Sequence, residues 1–539
     1  MLRGCPVIYS HSGRGNNWAH GYRQPGEGSS GYEDEGFSDS FGGSGPREDG
    51  RVLIDALRAI RRVMEPTDGR GSVFEDERPT DILLVYSLAG GTGSGLGSRL
   101  LHELRAAYPK VLLLAAVVAP NMASPSAAGE AGGSAGGGGD TPTQSYNVVL
   151  AMKKLRDHAD AVFIFSNVAI LAALERERTA GVGVLGRARA RGGGSSISLG
   201  DINRCIGAAL ALTLIPGVGR ETGEAGEIHG VERRAGNDGG GSASTDAWFL
   251  RPDLHSPGGR EGEWKGAGSL RAGRGGGRGK RTRMTAAAIV EALVQDPSGR
   301  LKLLEVHAVV ADVPSPSSSP FSMVTDSSAS SEAVADKAWK GLVAGLKPSM
   351  TAWDKLYGGG GMGTGGGEGT ERSRTTSAVV ILRGCDSKRG GCDTDDLLHT
   401  PPEGSEAATV AAALAKASVL THHGRRGKSQ PAPAVGYWSH RHSAPCILRS
   451  AAGMKTTNLE AAQQRRRQQS QPSPLQRSLT VVAHRSTAGG FLTSVAERAR
   501  RLLDSGAYLH WYERYGCTRN DIAEAIDACL DVARAYREG

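Results

Sequence analysis

Ser87-Leu-Ala-Gly-Gly-Thr-Gly-Ser-Gly-Leu-Gly97 is the stretch that decides the fold of this 539-residue chain. It follows the apolar run Ile82-Leu-Leu-Val-Tyr86 and leads into Leu96, Leu100, Leu101 and Leu104, which share a helical face. Strand, glycine turn and helix in that order aim backbone N–H groups and a helix N-terminus at one point. That is an anion site, most often a phosphate site. Gly90, Gly91, Gly93 and Gly95 let the main chain approach a ligand with no Cβ in the way, and Thr92 and Ser94 add hydroxyl donors. A Walker A loop needs a lysine after its glycines, and none follows. A dinucleotide fingerprint counted from Gly91 meets Leu96 at its last glycine, and counted from Gly93 meets Ser98. A flexible linker would not lie between a buried strand and an amphipathic helix.

Around this loop the apolar pattern predicts one βαβ unit: strands over 82–86 and 111–118 with a helix over 96–108 between them. Unbroken apolar strands imply burial on both faces, as in a parallel sheet. Helices are expected over 52–64, 147–158, 168–178 and 202–214, with a strand over 161–165. The 202–214 helix is apolar nearly all round, so it belongs in a core, and Asp201 is placed to cap it. The second half predicts helices over 286–294 and 333–346 and strands over 301–310, 378–382 and 479–483. A helix over 491–504 stops at Gly506, and a last one over 520–536 starts at Thr518 and Asp521.

Composition separates folding pieces from diluting ones. Glycine supplies 78 residues, about double ordinary usage, and aromatics only 5%. Disorder is expected over 26–50, 123–139, 181–194, 217–283, 314–331, 358–370, 390–430 and 451–476. The net charge of +8 comes partly from arginines in those tracts. Seven cysteines contain no Cys-x-x-Cys pair, which argues against a zinc site or disulfide framework and fits a reducing cytosolic compartment. No apolar run is long enough to span a bilayer, and no signal peptide is expected at the start.

The glycine loop with its flanks resembles the signature loop of the tubulin family. Ser12-Gly-Arg-Gly-Asn-Asn-Trp-Ala-His-Gly-Tyr22 resembles that family's second phosphate-side loop. Ser145-Tyr-Asn147 and Asp201-Ile-Asn-Arg204 resemble its two base-holding segments, and Ala507-Tyr-Leu-His-Trp-Tyr512 the entry to its C-terminal hairpin. The order is collinear from residue 7 to about 536. Ala89 and the Ser-Gly-Arg-Gly-Asn-Asn wording are most similar to the delta-tubulin branch.

The resemblance implies an α/β fold: a parallel-sheet GTP-binding domain over 1–215, a central core helix, an α+β second domain over 284–483 and C-terminal helices over 484–539. Residues 216–283 would be a Gly/Arg-rich insertion. It implies GTP, with Mg2+, held at Gly90, Gly91, Thr92, Gly93, Ser94, Gly95 and Leu96, with Asn16 opposite and Asn147 and Asn203 on the guanine edge. No catalytic or metal-ligating residue is assigned. The implied partners are other tubulins, of epsilon and alpha/beta type, and centriolar proteins, with no membrane. The implied setting is the cytoplasmic cytoskeleton, the centriole or basal body, and the cilium or nucleus, in building triplet microtubules.

Three departures qualify this. Leu199 stands where many tubulins place the ring that stacks on the base. The family's opening strand and Gly-Gln-x-Gly-Asn-Gln loop have no counterpart, so either the chain as written starts late or the pocket lacks a wall. Ala288 stands at the position of the carboxylate through which a tubulin triggers its neighbour's hydrolysis, and Glu291, a helical turn on, reads as a solvated residue. A GTP-binding assembly subunit is therefore expected rather than an enzyme. Two other classes compete. A stand-alone nucleotide hydrolase or dehydrogenase would need an acid at the end of the next strand, which reads Val117-Val-Ala-Pro120. An RNA-associated protein could use the tract from Arg271 to Arg283, but no aromatic residue interleaves it.

Overall fold

The computed structural model describes residues 7–9, 13–23, 47–65, 81–120, 141–180, 197–215, 285–294, 302–312, 331–358, 373–385, 397–420, 434–440 and 476–538. The Arg271 to Arg283 tract and most of the segments expected to be disordered lie outside these residues.

One seven-stranded sheet runs through the described residues in the order β1-β2-β3-β4-β7-β5-β6. Its strands are β1 (Asp81–Ser87), β2 (Leu112–Ala119), β3 (Ala161–Ser166), β4 (Leu303–Asp312), β5 (Thr375–Arg383), β6 (Ala434–His440) and β7 (Gln476–Arg485). β1 to β4 pair in parallel, so the carboxyl ends of β1, β2 and β3 open on one edge. β7 then runs antiparallel to both β4 and β5. The two halves expected as separate domains thus share one sheet, joined through the short pairing of Val162–Ile164 with Leu303–Glu305.

The helices are α1 (Trp18–Tyr22), α2 (Arg47–Met64), α3 (Gly97–Ala107), α4 (Gln144–His158), α5 (Asn167–Ala180), α6 (Leu199–Leu214), α7 (Ala286–Leu293), α8 (Ser331–Tyr357), α9 (Glu406–Ala417), α10 (Thr487–Asp504), α11 (Leu509–Glu513) and α12 (Arg519–Glu538). Side-chain alternation sorts them. Val117, Val162, Ile164 and Leu303 meet α4, α10 and α12 on one face, where α8 and α9 extend the cover over β5 and β7. Leu114, Phe163 and Leu304 meet α6 and α7 on the other. The C-terminal helices therefore pack on α4 of the parallel half rather than forming a unit of their own.

Several expectations are corrected. Ser198, not Asp201, caps α6. Its side chain accepts the Asp201 N–H and Asp201 reaches back to the Ser198 N–H, a reciprocal capping box. α8 continues to Tyr357 through Pro348, and its end buries Met350, Trp353 and Tyr357, so tertiary packing outweighs the proline penalty. Part of the 390–430 segment is ordered: Ser405 caps α9, which buries Val410 and Leu414. β6 was not expected at all. Thr518 and Asp521 do open α12 as expected, and Gly506 follows α10 at a φ of 67°.

A buried ionic cluster sits where the parallel and antiparallel pairings meet. Arg485 donates to Glu305 at 3.0 Å, to Asp354 at 2.5 Å and to Ser373 at 2.5 Å. Thr487 donates to the other Glu305 oxygen, and His307 lies 3.3 Å from Glu305 and 2.8 Å from Ser349. Burial alone would raise the Glu305 pKa, but Arg485 first, then His307 and Thr487, outweigh it and hold the carboxyl below its ordinary value. A group with a depressed folded pKa contributes stability above its unfolded value, near pH 4.3, and loses it as pH falls through the folded value. Glu305→Ala leaves the buried Arg485 with Asp354 as its one carboxylate partner among the described residues and should cost about 3 kcal/mol at neutral pH. Thermal unfolding should show that gap shrinking below about pH 4; a gap independent of pH would show that the charge is not what holds the seam.

Candidate nucleotide site

The glycine loop folds as a wide helical turn, Gly91–Leu96, that runs directly into α3. The first N–H groups of such a turn have no acceptor within it, and the turn follows the carboxyl end of β1. α1 lies across the loop. Asn17 caps it, accepting the Ala19 N–H at 2.9 Å, and its own amide donates to the Trp511 carbonyl at 2.7 Å. Trp18 stacks on Tyr22 at 4.4 Å and donates its indole N–H to Ser98. Gly15 and Asn16 both have φ near +50°, in the left-handed region that glycine and asparagine tolerate best.

Most of the loop's glycines serve this packing. A Cβ on Gly91 would meet the Arg14 carbonyl at 2.5 Å, on Gly93 the Ser87 carbonyl at 2.5 Å, and on Gly95 the Trp18 carbonyl at 2.3 Å. Gly90 differs. Its Cβ would meet only Asn16 Oδ1, at 3.6 Å, so this glycine and Asn16 border the open face together. The hydroxyl donors divide similarly: buried Ser94 gives its proton to the Gly90 carbonyl at 2.6 Å, whereas Thr92 is exposed. Leu96 ends the turn, half-buried.

Asn147 stands elsewhere than the resemblance implies. Its side chain is buried, its Nδ2 donates to the Asn16 carbonyl at 2.8 Å and the Ala89 carbonyl at 2.7 Å, and its Oδ1 accepts the Trp18 N–H at 2.8 Å and the Tyr512 hydroxyl at 2.6 Å. Two donors and two acceptor positions are all that a carboxamide has. Asn147 is thus a clamp between the two loops and cannot also read a base edge. Burial pushes the Tyr512 hydroxyl well above its ordinary pKa, so it stays a neutral donor.

Asn203, the fifth residue of α6, is exposed, as a ligand-facing amide requires. Leu199, at the start of that helix, is 71% exposed. Asn167 went unnoticed in the sequence: it directly follows β3 and opens α5, at the carboxyl edge where α/β sheets bind ligands. The signal was the abrupt Ser-Asn after an unbroken apolar strand. Asn17, Tyr512 and Arg14 were also missed as supports of the site.

Comparison with known proteins agrees with this geometry. Residues 32–175 match the GTPase-domain model of the Tubulin/FtsZ family. The chain is 32% identical over 165 residues to the tubulin beta-2 chain of Geotrichum candidum, covering 30% of this chain and 26% of that relative. It is 35% identical over 117 residues to the tubulin gamma chain of Saccharomyces cerevisiae, covering 22% of this chain and 20% of that one. The matches span about a quarter and a fifth of those relatives' own lengths. The matched residues of the parallel half, which carry the glycine loop, are thus similar to a tubulin-superfamily GTPase domain. Among the described residues no helix is long and apolar enough to cross a membrane.

The glycine geometry separates folding from binding. Gly90→Val, at an extended φ of −98°, should leave the thermal unfolding midpoint nearly unchanged yet weaken nucleotide uptake at least tenfold. Gly93→Val, driven into the Ser87 carbonyl, should lower the midpoint as well. Equal melting losses in both would show that Gly90 also is a packing residue.

Proposed function

We propose that this chain binds GTP as a structural subunit of tubulin type, with a delta-like role in centriole or basal-body microtubules and cilium assembly. The observation that carries the binding reading is the open face shared by Gly90, Thr92 and Asn16 over a helical turn's free amides, at the carboxyl edge of a parallel sheet. Gly90 to Leu96 would cradle the phosphates, and Asn16 would close them in. Asn203 and Asn167, on touching helices, would present donor and acceptor to the guanine edge. The superfamily match supports guanine over other bases.

Hydrolysis is not part of the proposal. Ala288 sits in the first turn of α7, its N–H accepted by Thr285, and Glu291 is exposed. The chain would occupy GTP and pair with other tubulins without supplying a carboxylate from that helix. The delta-like reading rests on the loop wording, and a tagged full-length chain that collects at centrioles would bear it out. Diffuse cytoplasmic signal throughout the cell cycle would count against it.

The binding reading is tested by titrating the purified full chain with GTP and ATP. About one equivalent of guanine nucleotide should bind, with ATP at least tenfold weaker; no uptake of either would overturn it. Leu199→Tyr offers the base a stacking ring and should tighten GTP about five- to tenfold, since base stacking is worth about 1 kcal/mol. An unchanged affinity would place the base away from the start of α6.

A further inference from the structure

The two edges of the sheet are finished differently. At β6 the backbone of Tyr437 exchanges N–H to carbonyl hydrogen bonds with Leu398, at 2.8 and 2.9 Å, so an antiparallel bridge covers that edge. β1, at the other edge, has one hydrogen-bonded neighbour, β2, among the described residues. Its side chains alternate. Ile82, Leu84 and Tyr86 pack against the core, while Leu83 and Val85 stand exposed, Val85 at 57%. α2, which packs on the same core through Leu57 and Ile60, leaves Ile54 and Val63 exposed as well. Natural edge strands are blunted by a lysine, a proline or a bulge that blocks further pairing. Asp81-Ile-Leu-Leu-Val-Tyr-Ser87 contains none of these, and its one charged side chain is at its first residue.

We propose that β1 pairs antiparallel with β1 of a second copy of this chain, joining the two through one continuous sheet. The inference does not depend on the nucleotide reading. The strand is self-complementary about Leu84: with Leu84 opposite its own copy, Leu83 faces Val85 and Ile82 faces Tyr86. Opposed residues of an antiparallel pair share a face, so the exposed pair of each chain would cover that of the other. Asp81 then meets Ser87 and not a second Asp81, so no like charges are opposed. A one-residue slip would set exposed side chains against half-buried ones, which specifies the register. This self-match favours a second copy over a strand from another protein. The contact is isologous and closes at two chains, because pairing uses up the bare edge that each one brings.

The test is sedimentation equilibrium of the full chain over a wide concentration range, alongside Val85→Lys, Leu83→Glu and the double variant, with melting curves checking each fold. The wild type should approach twice the chain mass as concentration rises. Val85→Lys puts a charge on the open side of the strand twice per dimer and should weaken association at least tenfold, as should Leu83→Glu. Both positions are exposed, so the melting midpoints should stay near wild type. Leu83→Glu combined with Val85→Lys sets opposite charges directly across the pair and should recover part of the loss, which a register offset by one residue would not give. A wild type that is monomeric at every concentration would overturn the inference, and so would a dimer indifferent to both single variants. A double variant that associates no better than the weaker single one would overturn it too.

Discussion

The carboxamide of Asn147 lies buried between the Asn16 and Ala89 carbonyls, the Trp18 N–H and the Tyr512 hydroxyl, with each of its hydrogen-bonding positions used. Those four partners come from the phosphate-side loop, the glycine loop, α1 and α11. Were the carboxamide lost, the Trp18 N–H and the Ala89 carbonyl would lose this partner, at about 1–3 kcal/mol each. The open face bounded by Gly90 and Asn16 depends on this clamp, because neither loop holds that spacing by itself. Tyr146, which donates to the Ala507 carbonyl, and His20, stacked on Tyr515 at 4.4 Å, fasten the same elements from either side. The C-terminal helices are thus part of the site's frame.

The second constraint is the single sheet. β3 and β4 pair over three residues, and the Glu305–Arg485 cluster sits beside that junction on the face shared by both cores. A buried ion pair adds little net stability against an apolar alternative, but it fixes which strand lies beside which. Here it joins β4, β7, α8 and α10 at the point where strand direction reverses. The parallel half that carries the glycine loop and the antiparallel half that buries the central helix are held in one frame.

Much of this was legible in the residues. Unbroken apolar runs announced β1 and β2 as parallel, and the Thr518–Asp521 spacing announced α12. β2 is buried as expected, but β1 stands at the sheet edge with alternating exposed and half-buried residues, Val85 being 57% exposed. What escaped notice has physical reasons. α9 is alanine-rich and flanked by polar residues, so its helical stripe, Val410 and Leu414, is thin. Ser198 and Asp201 both carry side chains that cap helices, so Asp201, the other half of the box, was taken for the cap. Asn147 and Asn167 both lie at helix starts, and only the hydrogen bonds distinguish the buried clamp from the residue left at the sheet edge. The glycines were read as room for a ligand, whereas Gly91, Gly93 and Gly95 make room for α1 and β1 and only Gly90 faces outward.

The most direct test of the central claim, that backbone amides of one glycine turn hold a purine nucleotide's phosphates, is hydrogen exchange on the full chain with and without GTP. Peptides spanning 87–97 and 13–18 should gain protection together, those from α9 and β6 should not change, and Asn147→Asp should remove the gain. Exchange in the glycine turn that stays the same at saturating GTP would contradict the account.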